Sequence, residues 1–535
     1  LIAITLPLSS YNFPTITKIH LPIRSLAFFL GVCCFLIARA SFAQSSNGEV
    51  TITADSLLYG ETSGQKTQQM IGHVQFAQGT LHGSSDRAVR FLDQNKIELT
   101  GHVVIRQDTL SLLAPHVIWE ANDHVGHADG GVTLLDRDVT LKSEVGDYDA
   151  FNQVAVFHKN VFITEGRTLI KSDELTYYRA TETSIARGRV VVTSDSGRLH
   201  ADNVIYSRAL GETTAEGHVD LKNDSMHLNS DWMYDSKPQG IMFTRGHVRV
   251  ESLANNTVIF GDTLARFARL SYISVPIHPL LLMIDTSTVI DSVTKLPRLN
   301  SDTLFIRSST MEAYQGDSTR FLADDSVKLY RTGFAAIGGR LDYRETINLM
   351  TLSNAKRQRL WYDSTEVVGD SVAMLLDHRK IKQVVAVGHA FATDIVGELP
   401  GSGRVNQLQA ERIHMDILRD TVRNVVAVNN ALSIYFILND GKAGGVNRSS
   451  GDSIRIDFEK KTVKRVTVLS GTEGEFFPEK YVVGRGKDFR LSGYDRALVL
   501  KPRRDAFFVP QYEAEAALKP APSKPKDTPK RKKTS

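Results

Sequence analysis

From Gly72 to Glu251 the apolar positions of the chain alternate with polar ones inside a longer beat. Apolar pairs separated by one residue recur as Val74/Phe76, Val103/Ile105, Val132/Leu134, Val161/Ile163, Val190/Val192, Val219/Leu221 and Val248/Val250. Period-two alternation of mostly β-branched residues predicts half-buried strands with these side chains on one face. Ahead of each pair stands a glycine or its substitute: Gly72-His73, Gly101-His102, Gly130-Gly131, Lys159-Asn160, Gly188-Arg189, Gly217-His218 and Gly246-His247, at a constant step of 29 residues. A second column keeps that step through Asp86, Pro115, Glu144, Asp173, Asp202 and Asp231, with Asp55 offset by two at the front. Four residues after most of these comes an aromatic: Tyr59, Trp119, Tyr148, Tyr177 or Tyr206. A fixed period of this size predicts stacked units, none of which can bury its apolar face alone. Glycine at one bend and Asp before the next strand suit tight turns. Each unit is therefore expected to supply two or three strands lying along two walls, with the apolar rows pointing inward.

The beat stops after Glu251. The segment from Tyr272 to Asn300 holds Pro276, Pro279, Pro297 and the run Leu280-Leu281-Leu282-Met283-Ile284, which reads as a packed connector or a mobile apolar flap. Patterning then resumes with a step of 41 residues in Asp370/Glu411/Asp452, Val384/Val425/Val466 and His389/Asn430/Gly471. That step is read as the same unit enlarged by loop residues, for example 399–403 and 440–445. The organisation expected is a signal peptide over 1–43, a first β array over 44–252 and an irregular connector over 253–300. A second β array over 301–512 and a disordered Lys/Pro-rich tail over 513–535 follow. The fold class is all-β, a repetitive solenoid-like array in two parts.

Charge changes the picture only once it is divided along the chain. The 535 residues carry 64 Lys+Arg and 60 Asp+Glu. Residues 1–43 contribute three cations and no acid, and 519–535 seven cations and one acid, which leaves the body between them at −5. A nucleic-acid groove in the body would demand a basic surface. The apolar run Leu26–Ala38, with Arg24 before it and Ser41-Phe42-Ala43 after it, reads as an export signal, or less well as a retained anchor. Cys33 and Cys34 both lie in that run, so the body has no thiol for disulfides, thiolate metal sites or cysteine catalysis. The tail KPAPSKPKDTPKRKKTS reads as a solvated segment or as a contact to anionic head groups.

Candidate chemistry is sparse. The acidic column could be a calcium ladder, but a bend residue in water is the simpler reading of each carboxylate. His73, His102, His218 and His247 sit beside the turn glycine with no helical His pair and no evident carboxylate partner, so zinc is not expected. Walker, G-x-S-x-G and H-E-x-x-H motifs are missing from the sequence. No catalytic residue, metal or cofactor is expected. The inward rows then allow two readings: a closed solenoid whose rows pack together, or splayed walls that form a hydrocarbon-like trough for acyl chains. In the second, Trp119, Tyr148, Tyr177 and Tyr206 would suit a rim with one wet side.

Ala54-Asp55-Ser56-Leu57-Leu58-Tyr59, Gly72-His73-Val74 and Ala201-Asp202-Asn203-Val204-Ile205-Tyr206 resemble the OstA-like (LptA) family of periplasmic lipopolysaccharide-transport proteins. The later part, from Asp302-Thr303-Leu304 through Val387-Gly388-His389-Ala390 to Phe476-Phe477-Pro478, is similar to the second half of long OstA-like proteins, so the likeness spans roughly 48–480. The resemblance implies an open β-jellyroll that cradles acyl chains, on the inward rows named above. It further implies lipopolysaccharide or a similar acylated glycolipid as cargo, other β-jellyroll components joined edge to edge, an outer-membrane translocon as a possible partner, and a periplasmic location. Two departures stand out: the chain is longer than a minimal bridge protein, and it lacks the family translocon's large C-terminal barrel. A structural or adhesive β-solenoid with a closed core is the competing reading, and a polysaccharide-acting β-helix enzyme a weaker one.

Overall fold

The computed structural model describes residues 50–62, 64–290, 296–316, 319–377, 379–396, 403–439, 442–459, 462–494 and 500–507. The chain divides into a short unit, Leu1–Asn47, and a main unit, Gly48–Ser535. The export signal expected over 1–43 and the tail expected over 513–535 lie outside the described residues. Within the main unit the described residues form a 34-stranded antiparallel ladder with no α-helix.

Each 29-residue step is two long strands, as in Gln65–Gln78 followed by Leu81–Phe91, and each strand crosses both walls. The crossing is made at the glycine column. Ile71 pairs with Arg87 and Val74 with Ser85, so Gly72 and His73 together oppose Asp86 alone. Two residues against one is a β-bulge, which bends the strand without ending it. Both bulge residues are left-handed: Gly72 at φ 81° and His73 at φ 44°, Gly188 at 73° and Arg189 at 48°, Asn429 at 67° and Asn430 at 56°. The Gly-x pairs expected at turns between strands are therefore corners inside strands. The hairpin turns lie elsewhere, in two rows. One rim is formed by 79–80, 108–109, 137–138, 166–167 and 195–196, the other by 92–95, 121–124, 150–153, 179–182 and 208–211. The cross-section is a V: two walls joined along the corner column, with the two rims facing each other across the mouth. This is a β-jellyroll.

Among the described residues of 253–300, strands stand in place of the expected irregular connector. Thr257–Phe267, Tyr272–Ile277, Leu280–Ile290 and Pro297–Arg307 continue the ladder, so the two arrays form one sheet. The prolines sit where no ladder N–H is needed. Val275 and Pro276 form a bulge opposite Leu264, Pro279 follows the left-handed corner residue His278, and Pro297 begins its strand. Of the loop residues expected to enlarge the 41-residue step, 399–402 and 440–441 lie outside the described residues. Strands lengthen to 14–19 residues in Val405–Leu418, Thr421–Asn439 and Lys442–Glu459, while Gly388-His389, Asn429-Asn430 and Ser470-Gly471 remain corners. The described residues 479–494 and 500–507 leave the ladder and lie on its outside. Phe489 packs on Phe436 and Phe477, and Phe507 is buried against Phe305 and Tyr330.

Candidate functional site

All eighteen residues proposed for the groove face the space between the walls. Val74, Phe76, Val103, Ile105, Val132, Leu134, Val161, Ile163, Val190, Val219, Val248, Trp119, Tyr148 and Tyr177 are buried. Val192, Leu221, Val250 and Tyr206 are half-buried against the same core. The division follows the chain. In the column Phe76, Ile105, Leu134, Ile163, Val192, Leu221, Val250 the first four are covered and the last three reach solvent.

In the covered stretch large side chains fill the interior over glycines of the neighbouring strand, and Phe76 meets Trp119 of the opposite wall. The Phe76 ring fills the place of a side chain at Gly83 and lies 6.4 Å from Trp119, and the Phe157 ring stands 2.8 Å from where a Cβ on Gly146 would be. Complementary small and large residues of this kind give the density of a protein interior. Each aliphatic side chain so buried contributes about 1.5–3 kcal/mol.

The mouth over that stretch is latched by polar groups. Trp119 Nε1 donates to Gln78 Oε1 at 2.9 Å, and Gln78 Nε2 donates to the carbonyl of Ala121 at 3.0 Å. One step on, Tyr148 Oη donates to Gln107 Oε1 at 2.6 Å, and the next step pairs Tyr177 Oη with Asp136 Oδ2 at 3.5 Å. The separation is 41 residues each time. Arg179 reaches across to Asp108 at 3.2 Å and Asp136 at 3.3 Å, and Arg208 to Asp138 at 2.7 Å and Glu165 at 2.8 Å. Burial pushes the Tyr148 and Tyr177 hydroxyls up to about 12 and raises Glu165 above its usual range. The wet rim expected of Trp119, Tyr148 and Tyr177 is thus replaced by buried rings whose polar tips are satisfied across the mouth.

The latch column has a reason to end. The next first-rim position, Glu165, stands 41 residues before Tyr206 and is held by Arg208; the one after it is Ser194, whose short hydroxyl pairs at 2.8 Å with Ser196 on its own rim, and the aromatic position opposite Ser194 is Asp235. There Tyr206, Val192, Leu221, Met226 and Val250 become half-exposed. Farther along, Arg379 crosses to Asp285 at 3.1 Å and to the carbonyl of Asn255 at 3.3 Å, closing the mouth again.

The corners carry a feature the sequence reading missed. His73, His102, His218, His247, His278 and His389 each place Nδ1 2.7–2.9 Å from a carboxylate, on Asp55, Asp86, Asp202, Asp231, Asp262 and Asp370 respectively. Arg189 replaces histidine opposite Asp173, and Asn160 opposite Glu144. The histidines do have carboxylate partners, on the neighbouring strand, and the acidic column serves them. No cluster of three or more metal-ligating side chains occurs among the described residues.

Comparison with known proteins adds a likeness over part of the chain. Residues 49–202 match the family model described as OstA-like protein. Fifteen solved chains are similar to this one. One is LptH, described as the LptA homologous periplasmic component of the conserved lipopolysaccharide transport device from Pseudomonas aeruginosa. It is 14% identical, with 27% of this chain and 95% of that one covered, at a TM-score of 0.21. No curated protein matches.

Proposed function

We propose, from an OstA-like region over residues 49–202, that this chain is a non-enzymatic envelope protein that carries lipopolysaccharide or a similar acylated glycolipid during transport. Its site is the unlatched mouth. The observation that carries this reading is the surfacing of Val192, Leu221 and Val250 where the polar latch stops. Three aliphatic side chains two strands apart, roughly 10 Å per step, form a strip on which an acyl chain can lie along the V. Each methylene so removed from water contributes about 0.8 kcal/mol.

Export to the periplasm and partners at the sheet edges belong to the same proposal. At one end Ser56–Thr62 has Gln65–Gln78 as its neighbour, and it exposes Leu57, Leu58 and Tyr59. At the other, Thr462–Leu469 and Glu473–Pro478 each pair with Lys442–Glu459. Such edges are templates for strand addition by another β-jellyroll component or a translocon.

The latched stretch favours a second reading, a structural solenoid with a closed core. A photo-crosslinking residue at Leu221 separates the two, with Val132 as the covered control. Glycolipid adducts at Leu221 and none at Val132 support transport. A folded, exported protein that gives adducts at neither position is a structural solenoid.

A further inference from the structure

A second opening of the interior lies near the far end of the ladder, beyond residues 49–202. It is a cleft of about 70 Å³. One side is apolar: Val422, Val425, Ile456 and Phe458, which belong to or pack against the interior core, and Val463. The other side is polar. Ala392 and Leu408 face inward, so Asp394 and Asn406, two residues nearer the rim on paired strands, face inward as well. Thr365 pairs with Asp394 on the next strand, and Ser433 and Tyr435 complete that side.

Asp394 is the acidic residue in the lining of this cleft. Its Oδ1 is buried without a hydrogen-bond partner, while Ser364 bonds the same carboxylate. Burial raises its pKa, and nearby Asp363 adds to the effect. No Lys, Arg or His is among the residues lining the cleft. A desolvated carboxylate of this kind is costly until a cation or a strong donor reaches it. An anionic head group would meet like charge here. An ammonium would meet Oδ1, and its chain would lie against Phe458 and its neighbours.

We propose that this cleft is a subsite for an amphiphile whose apolar chain carries a primary ammonium, with Asp394 as the residue that selects it. The inference rests on the reading of the interior as a place for apolar chains and adds the head-group chemistry at this end.

The test is binding of dodecylammonium, dodecanol and laurate to the full chain at neutral pH, below their micelle-forming concentrations. Dodecylammonium should bind about tenfold or more tighter than dodecanol, and laurate weakest. D394N should erase the preference for the amine while leaving dodecanol unchanged, and F458A should weaken amine and alcohol together. D394N replaces a buried carboxylate with one unsatisfied oxygen by a neutral group, so thermal unfolding should show it at least as stable as the parent. Equal binding of amine and alcohol to the parent overturns the proposal. So does a preference that survives D394N, or an F458A variant that binds as the parent does. Capture of glycolipid at Leu221 with no amphiphile binding at this cleft would overturn this inference alone. Silence at both would overturn the transport reading with it.

Discussion

His102 Nδ1 lies 2.8 Å from Asp86 Oδ2, and the same carboxylate sits over the hydrogen-only face of Gly101. The two contacts make one device. Gly101 at φ 77° and His102 at φ 42° bulge the strand, and the aspartate of the preceding strand holds the bulge from outside. Repetition of this corner at Gly72, Gly217, Gly246 and Gly388 turns a flat antiparallel meander into a two-walled one.

Replacement of Gly101 by alanine tests the corner. A left-handed alanine costs about 1–2 kcal/mol, and its Cβ would also strike the Asp86 carboxylate. A urea midpoint lowered by at least that amount is expected. In a D86A background the clash is gone, so the penalty of G101A should shrink, giving a favourable coupling in the double-mutant cycle. Additive losses would show that the aspartate does not press on the glycine.

The corner pairs also set a pH dependence. His73, His218 and His389 have pKa values raised above 6.5, first through hydrogen bonds to Asp55, Asp202 and Asp370 and then through the charge on those carboxylates. Since the folded pKa exceeds the unfolded one, the imidazolium form is favoured by folding. The contribution is complete below about pH 6.5 and is lost as pH rises through the folded values. The pairs are exposed, so each contributes little alone and salt weakens it. Proton titration by NMR should place these three imidazoles above the free value, and H73N/H218N/H389N should flatten the stability profile between neutral and mildly acidic pH. A profile of the same slope in the triple variant would contradict the assignment.

Much of this was legible in the sequence, for a definite reason. The 29-residue step is local information, because one repeat equals two strands and two hairpins, and the inward rows Val74 to Val250 follow from period-two alternation within each strand. Pairing between strands is not local. Whether Gly72-His73 makes a turn or a bulge depends on how many residues stand opposite, and Asp86 alone does so only once the register is known. The partnership of His102 with Asp86 spans 16 residues, and that of Tyr148 with Gln107 spans 41 and crosses the mouth. No spacing rule for a single strand reveals either. Pro276 and Pro297 misled for the opposite reason, since proline breaks a strand by default and is tolerated at the bulge and strand start where these two sit.

The latch has its own test at Gln107 and Tyr148. Removal of the carboxamide in Q107A leaves the Tyr148 hydroxyl without its partner in a buried setting, which costs about 1–3 kcal/mol. Y148F removes the hydroxyl instead and should cost less. The double variant Q107A/Y148F should be more stable than Q107A alone, because neither partner then remains unpaired. Chemical unfolding of the four proteins gives the coupling directly, and a coupling near zero would mean that water already satisfies both groups.

If absence of the latch is what opens the mouth, then supplying one should close it. Gln107 and Tyr148 form their pair 41 residues apart, and Ser194 and Asp235 occupy the equivalent positions with side chains unable to meet across the mouth. S194Q/D235Y recreates the glutamine and tyrosine of the covered stretch. Its tyrosine ring would cover apolar surface near Met242, the cross-strand partner of position 235. Stability should therefore rise, since a half-desolvated carboxylate whose pKa burial raises gives way to a ring with a hydrogen-bonded tip. Capture of glycolipid by a photo-crosslinker at Leu221 should fall in this background while folding and export are retained. Y148F/Q107A tests the converse, and adducts should appear at Leu134, which is covered in the parent. Undiminished capture at Leu221 in a well-folded S194Q/D235Y protein would mean that cargo does not enter through the mouth.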